Sequence, residues 1–333
     1  MATALPIGNA VLEAAIAPRL AVIEERLRDA VAQSDRLADD TSRHLVDAGG
    51  KRLRPMLTLL TAQLGDASRP EVVDAAVVVE LTHLATLYHD DVMDSAPTRR
   101  GAPSAHEVWG NSVAILTGDL LFARASNVVA GLGPTAVRIQ AETFERLCLG
   151  QLHETVGPSP EEDPVRHYLQ VLADKTGSLI ATSARFGAMF AGCDRAVVDQ
   201  VRAYGEYAGV AFQLADDVLD VRSDGAVSGK TPGTDLREGV ATMPVLLLRR
   251  LVAAGDAQPE DVKLLADIDG DLSSDAALQS VVERLRGHEV LTQTSDLAHQ
   301  WSARAVSAIA SLPAGPVREA LETFAEALVA RAA

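Results

Sequence analysis

From Pro70 to Asp94 the chain reads PEVVDAAVVVELTHLATLYHDDVMD, with no proline after the first position and no glycine at all. The VVV within it favours a strand locally. The run as a whole is too long for a strand and holds no turn signal, so it predicts one long helix. Helical spacing recurs almost everywhere else. AVIEERLRDAVAQ (Ala21 to Gln33) places apolar residues three and four apart, on one buried face. Four later runs read as helices: NSVAILTGDLLFARASNVVAGLG, AVRIQAETFERLCLGQLHETVG, VRHYLQVLADKTGSLIATSARFGAMFAG with a break near Gly177, and RAVVDQVRAYGEYAGVAFQLADDVLDV. Gly49 and Gly50 suit a helix C-cap, and Pro55 suits the start of the next helix. SAPTRRGAPS and RSDGAVSGKTPGTDLREG read as loops, and later breaks fall at Gly255, Gly270 and Pro313. No hairpin signal or βαβ unit stands out. The expectation is an all-α chain, a single domain over residues 1–333, built as a bundle of roughly ten or more helices.

Composition narrows the function. The chain is 47% hydrophobic, enough for a sizeable core, and carries 46 acidic against 30 basic residues for a net charge of -16. That balance argues against a nucleic-acid binder, which needs a basic face to meet phosphates. Cys148 and Cys193 lie in no CxxC or Cys/His cluster, so they read as reduced thiols of a cytoplasmic protein. The N-terminus lacks the basic start of a signal peptide, and no charge-free apolar run reaches about 18 residues.

The chemistry is carried by two near-identical clusters, DDVMD (Asp90, Asp91, Asp94) and DDVLD (Asp216, Asp217, Asp220). On a helix Asp90 and Asp94 share a face, about 6 Å apart along the axis. Carboxylates that close repel unless water or a cation lies between them. A single DDxxD in an acidic chain is ordinarily a solvated helix face. Here the wording repeats, and each copy ends a strongly apolar helix. Each is also followed by a polar loop with cations: Arg99 and Arg100 after the first, Lys230 after the second. An EF-hand is excluded, because its ligands alternate along a loop around a glycine. Carboxylates at an apolar rim beside cations suit Mg²⁺ and a polyphosphate, since Mg²⁺ takes a few carboxylates, waters and phosphate oxygens.

The cations gather at neighbouring segments. GGKRLRP supplies Lys51, Arg52 and Arg54; arginine forks suit phosphate oxygens and lysine is a point charge. His83 lies two helical turns before Asp90 on the same face. Lys175 and Thr176 sit in DKTGS, and Gln213 lies three before Asp216. Taken singly, each reads as a surface charge or a core histidine. Together they match a site for two anionic substrates.

These motifs, in order GGKRLRP, HLATLYHDDVMDSAPTRRG, GQLHE, KTGSL, FQLADDVLD and GKTPGTDLREG, resemble the trans-isoprenyl diphosphate synthases, or polyprenyl synthetases. The resemblance spans nearly the whole chain. It implies an isoprenoid-synthase helical bundle that forms a homodimer and elongates an allylic diphosphate with isopentenyl diphosphate. It also implies Asp90, Asp94 and Asp216 as direct Mg²⁺ ligands. Arg99, Lys175, Thr176, Gln213 and Lys230 would contact the allylic diphosphate, and Lys51, Arg54, His83 and Arg100 the isopentenyl diphosphate. Ala85 and Thr86, one turn before Asp90, would line the shaft that receives the growing chain. Their modest size points to a product longer than geranylgeranyl, with geranylgeranyl as the alternative.

One departure is Val240, where many relatives carry a second lysine in the last motif; the allylic diphosphate would lose one cation. A class I terpene cyclase is a less suitable reading, because it usually has an NSE-type triad in place of the second DDxxD. So is a non-catalytic subunit, which tends to lose an aspartate motif.

Overall fold

The computed structural model describes residues 8–223 and 232–330. It is mostly helical, as expected. In chain order the helices are α1 (Ala10–Val31), α2 (Arg36–Asp47), α3 (Leu53–Ala62), α4 (Pro70–Met93), α5 (Ala105–Trp109), α6 (Asn111–Ala130), α7 (Pro134–Val156), α8 (Pro164–Leu172), α9 (Ser178–Phe190) and α10 (Arg195–Arg222). After them come α11 (Thr234–Arg237), α12 (Met243–Ala254), α13 (Pro259–Ile268), α14 (Asp275–Arg286), α15 (Glu289–Ala308) and α16 (Pro316–Ala330). A π-helical turn, Ala173–Gly177, joins α8 to α9, and two short strands, β1 (Thr98–Arg99) and β2 (Ala102–Pro103), follow α4.

The chain divides into two compact units. The first comprises Met1–Glu145, Ser178–Gly205 and Ala308–Phe324. Within it α4 packs against α6, α3, α9 and α1, and α3 packs along α9. The α3–α9 seam is tight. Thr58 Oγ1 donates to Ser183 O at 3.0 Å, and a Cβ on Gly187 would lie 2.1 Å from Thr58 O. Gly187→Ala therefore forces α3 and α9 apart and is expected to cost roughly 1–3 kcal/mol of stability. Thermal unfolding checks this, and an unchanged midpoint would refute the close approach.

The second unit comprises Arg146–Gly177, Glu206–Ser307 and Ala325–Ala333. Its core surrounds Val210, Leu214, Val218 and Val221 of α10, with Leu248 of α12 and Val281 and Leu285 of α14.

Four local features differ from the sequence expectation. Helix α1 begins eleven residues before Ala21, where Asn9 Oδ1 caps Val11 N–H and Leu12 N–H, and it continues through Pro18. Helix α3 opens at Leu53 rather than Pro55, because Arg52 takes a left-handed conformation (φ 50°) at its N-cap. The segment near Gly177 is a wide π turn rather than a break. And SAPTRRGAPS contains a hairpin, with Thr98 opposite Pro103 and Arg99 opposite Ala102. Its two-residue turn has positive φ at both Arg100 (55°) and Gly101 (80°), the signature of a type I′ turn.

Helices α4 and α6 are each long and apolar enough, by length and composition, to cross a bilayer. The apolar window of α4 is 72% buried inside the protein, as a core helix is, whereas that of α6 is only 33% buried.

Candidate active site

Each unit carries one aspartate motif. In the first unit the motif ends α4, with Asp94 at the C-cap. Carboxylates here add to the negative end of the helix dipole, so the site attracts cations. The three aspartates are not equivalent. Asp90 is half-buried and Asp94 exposed, while Asp91 is fully buried. Asp91 Oδ1 accepts from Arg99 Nε at 2.6 Å, so Asp91 fixes Arg99 rather than facing solvent. The hairpin sends the neighbouring Arg100 elsewhere. Its guanidinium donates to Leu45 O at 3.0 Å and to Gly49 O, and it lies over Gly50, where a Cβ would meet Arg100 Cζ at 2.8 Å.

Beneath these lies a group that sequence alone did not reveal. Arg52 Nη1 donates to Glu80 Oε1 at 2.8 Å, its Nη2 to Val46 O at 3.1 Å, and its Nε to Glu24. The Arg52 and Glu80 side chains are 7% and 2% exposed. This clamp holds the GGKRLRP loop and so sets where Lys51 and Arg54 emerge. The available signal was Glu80 lying three residues before His83 on the same helix face.

Arg54 sits among these charges. Burial pushes its pKa down to about 10, opposed by Glu80, so it keeps its charge at neutral pH. Its Nε is buried without a hydrogen-bond partner, a donor that an anion would satisfy. Burial, with repulsion from Arg54, Arg100, Arg99 and Arg52, pushes His83 well below the usual histidine range. His83 is therefore a neutral hydrogen-bonding group at pH 7. Ala85 is fully buried, and Thr86 is half-buried with Oγ1 donating to His83 O at 2.8 Å.

The second unit repeats the division of labour. Asp216 is half-buried, but Asp217 is turned inward. Asp217 accepts from Tyr168 Oη at 3.0 and 3.1 Å and from Met243 N–H at 3.2 Å, while burial pushes its carboxyl well above the usual range. Asp220 Oδ1 accepts from Thr234 N–H at 3.2 Å. Gln213 is half-buried on α10. Lys175 and Thr176 lie in the π turn, with Lys175 Nζ ion-paired to Glu154. Val240 is 40% exposed and supplies no cation. Lys230 lies outside the described residues.

Among the described residues no group of three or more His, Cys, Asp or Glu side chains is arranged to hold a metal ion alone. The donor set fits Mg²⁺ in a different way. Its oxygen donors are sparse and lie at a negative helix end beside arginines, so substrate and water would have to complete the shell.

In the first unit, a helix ending in paired aspartates beside arginines with an unsatisfied donor is an arrangement suited to a diphosphate. The polyprenyl synthetase family profile matches residues 35–285. A nonaprenyl diphosphate synthase of Mycobacterium tuberculosis is 44% identical over 98% of this chain and 96% of its own length. The crystal structure of a polyprenyl synthase from Caulobacter crescentus, complexed with calcium and isoprenyl diphosphate, superposes with a TM-score of 0.87 at 32% identity, covering 100% of both chains. A geranylgeranyl pyrophosphate synthase from Corynebacterium glutamicum, likewise complexed with calcium and isoprenyl diphosphate, gives 0.85 at 41% identity over 97% of this chain and 98% of that one. The chain belongs to the polyprenyl synthetase family, the trans-isoprenyl diphosphate synthases, and is a prenyltransferase.

Proposed function

We propose that the protein condenses isopentenyl diphosphate with an allylic diphosphate, in a Mg²⁺-dependent reaction, to make an all-trans polyprenyl diphosphate longer than geranylgeranyl. The observation that carries this reading is Arg54, half-buried and charged, with a buried, unpartnered Nε, in the field of Glu80 and Asp90. Asp90, Asp94 and Asp216 are the metal ligands. Mg²⁺ held there would supply charge neutralisation for the departing diphosphate. Arg99, Lys175, Thr176, Gln213 and Lys230 hold the allylic diphosphate. Lys51, Arg54, His83 and Arg100 hold the isopentenyl diphosphate, with neutral His83 as a hydrogen-bonding partner. Asp91 keeps Arg99 aimed, and Asp217 anchors α10 to Tyr168 and Met243. The apolar body of α4 behind Asp90 keeps water from an allylic cation.

Incubation with isopentenyl diphosphate, Mg²⁺ and allylic primers of several lengths, followed by product sizing, tests this. Absence of elongation with every primer would sink it. A product that stops at twenty carbons would establish the geranylgeranyl alternative, which the Corynebacterium likeness favours.

Product length is assigned to Ala85 and Thr86. Phenylalanine at 85 adds a ring where Ala85 is wholly enclosed. Ala85→Phe is expected to shorten the dominant product by at least one isoprene unit and to cost about 1–3 kcal/mol in overpacking. Thr86→Phe, at a half-buried position, should shorten it with less destabilisation. Unchanged product distributions in both variants would remove this turn from the shaft.

The same reading makes the protein a homodimer in the cytoplasm. Helix α6 supports this: Ile115 and Leu116 are 42% and 65% exposed on a helix only one-third buried, a face that a second copy would cover.

A further inference from the structure

The π turn of the second unit is a costly conformation held by one face of α7. A π turn carries one extra residue, and such turns are rare and concentrate at functional sites. If Ala173–Gly177 relaxed to α-helix, residues on one side would rotate by about 100° relative to the other, and Lys175 and Thr176 would point elsewhere.

Three residues of α7, spaced four apart, meet this turn. Arg146 Nε donates to Asp174 Oδ1 at 2.6 Å, and its Nη2 donates to Ala173 O at 3.3 Å and to Glu206 Oε1 at 2.9 Å. Gly150, one turn on, admits the backbone itself: a Cβ there would lie 2.8 Å from Lys175 N. Glu154, a further turn on, pairs with Lys175 Nζ. Gln170 Nε2 adds a bond to Asp174 Oδ2 at 2.8 Å. From α10, Gly209 closes the other side, where a Cβ would lie 2.6 Å from Gly177 Cα. The turn thus has its carboxylate, its backbone and its lysine each engaged by successive positions on one helix stripe.

We propose that Arg146 is a positioning residue, which holds the π turn open so that Lys175 and Thr176 meet the allylic diphosphate. This rests on the assignment of Lys175 and Thr176 made above. Arginine suits the task because one planar fork reaches Asp174, the Ala173 carbonyl and Glu206 together, and a lysine ammonium cannot span the three.

The test uses the full-length enzyme and steady-state kinetics with each substrate varied in turn. Arg146→Gln is expected to raise KM for the allylic substrate about tenfold, the scale of one charge-assisted contact, and to leave KM for isopentenyl diphosphate unchanged. Asp174→Asn should give the same split, and it carries the test if Arg146→Gln does not fold. Lys175→Ala should also raise the allylic KM, and adding Arg146→Gln to the combined Lys175→Ala/Thr176→Ala variant should raise it no further, because Arg146 acts through those two residues. Equal rises in both KM values, an unchanged allylic KM, or a multiplicative loss on adding Arg146→Gln to the combined variant would overturn the positioning role. A normal allylic KM in Lys175→Ala would overturn it too, by removing the contact through which it acts. Failure of the wild-type enzyme to elongate any primer would instead overturn the functional reading itself.

Discussion

Asp90→Ala is expected to lower kcat by about two to three orders of magnitude, the scale seen when one preorganised charge-stabilising group is lost at a reacting centre. The reason is geometric. Of the three aspartates ending α4, Asp91 is enclosed and committed to Arg99, and Asp94 sits at the exposed C-cap. Asp90 alone is half-buried, at the edge of the arginine pocket, where a cation would be both shielded and aimed at phosphate. Asp91→Asn should behave differently. It removes the charge that fixes Arg99, so it should raise the allylic KM and lower the melting temperature while keeping the dependence on Mg²⁺. Single-turnover product formation across a Mg²⁺ titration separates the two. Turnover within tenfold of wild type in Asp90→Ala, at saturating Mg²⁺, would contradict its role as a metal ligand.

The second large effect is on stability. Arg52→Met removes the cation between Glu24 and Glu80, and Glu80 is almost wholly enclosed. Taking one partner from a buried ion pair costs about 3–5 kcal/mol, because the other charge stays desolvated and unpaired. A lower melting temperature is therefore expected, with a raised KM for isopentenyl diphosphate wherever the variant remains folded. Removing both charges in Arg52→Met/Glu80→Met should recover part of the loss, since no buried charge is then stranded. A double variant less stable than Arg52→Met would show that Glu80 works mainly through Arg54 and Arg100 rather than through Arg52.

The long helices were legible because their apolar spacing survives any choice of neighbour, and the paired DDxxD motifs because their repetition has no packing explanation. Inequality within each motif was not legible. Whether Asp90 or Asp91 points inward depends on the rotation of α4 against α6 and α9, which residue types alone do not specify. Arg52 and Glu80 carry charges that usually mark a surface, so their burial shows only once α1 and α4 enclose them. The hairpin escaped because its strands are two residues long and its turn is Arg-Gly rather than Asn-Gly or Asp-Gly. The π turn escaped because one extra residue leaves the apolar pattern on either side intact. The start of α1 was not legible because Pro18, a residue that ordinarily ends a helix, lies inside it.

The hairpin between Thr98 and Pro103 sorts two identical neighbours. Arg99 reaches back to Asp91, while Arg100, one residue on and at the first position of the turn, reaches the carbonyls of Leu45 and Gly49. Which arginine meets Asp91 and which meets the Leu45 and Gly49 carbonyls is decided by the register of the hairpin, not by either side chain. Swapping chemistry at one position would blunt one contact. Adding or deleting a single residue would reassign both, so across descendants of this gene the length of that loop should drift less than its spelling.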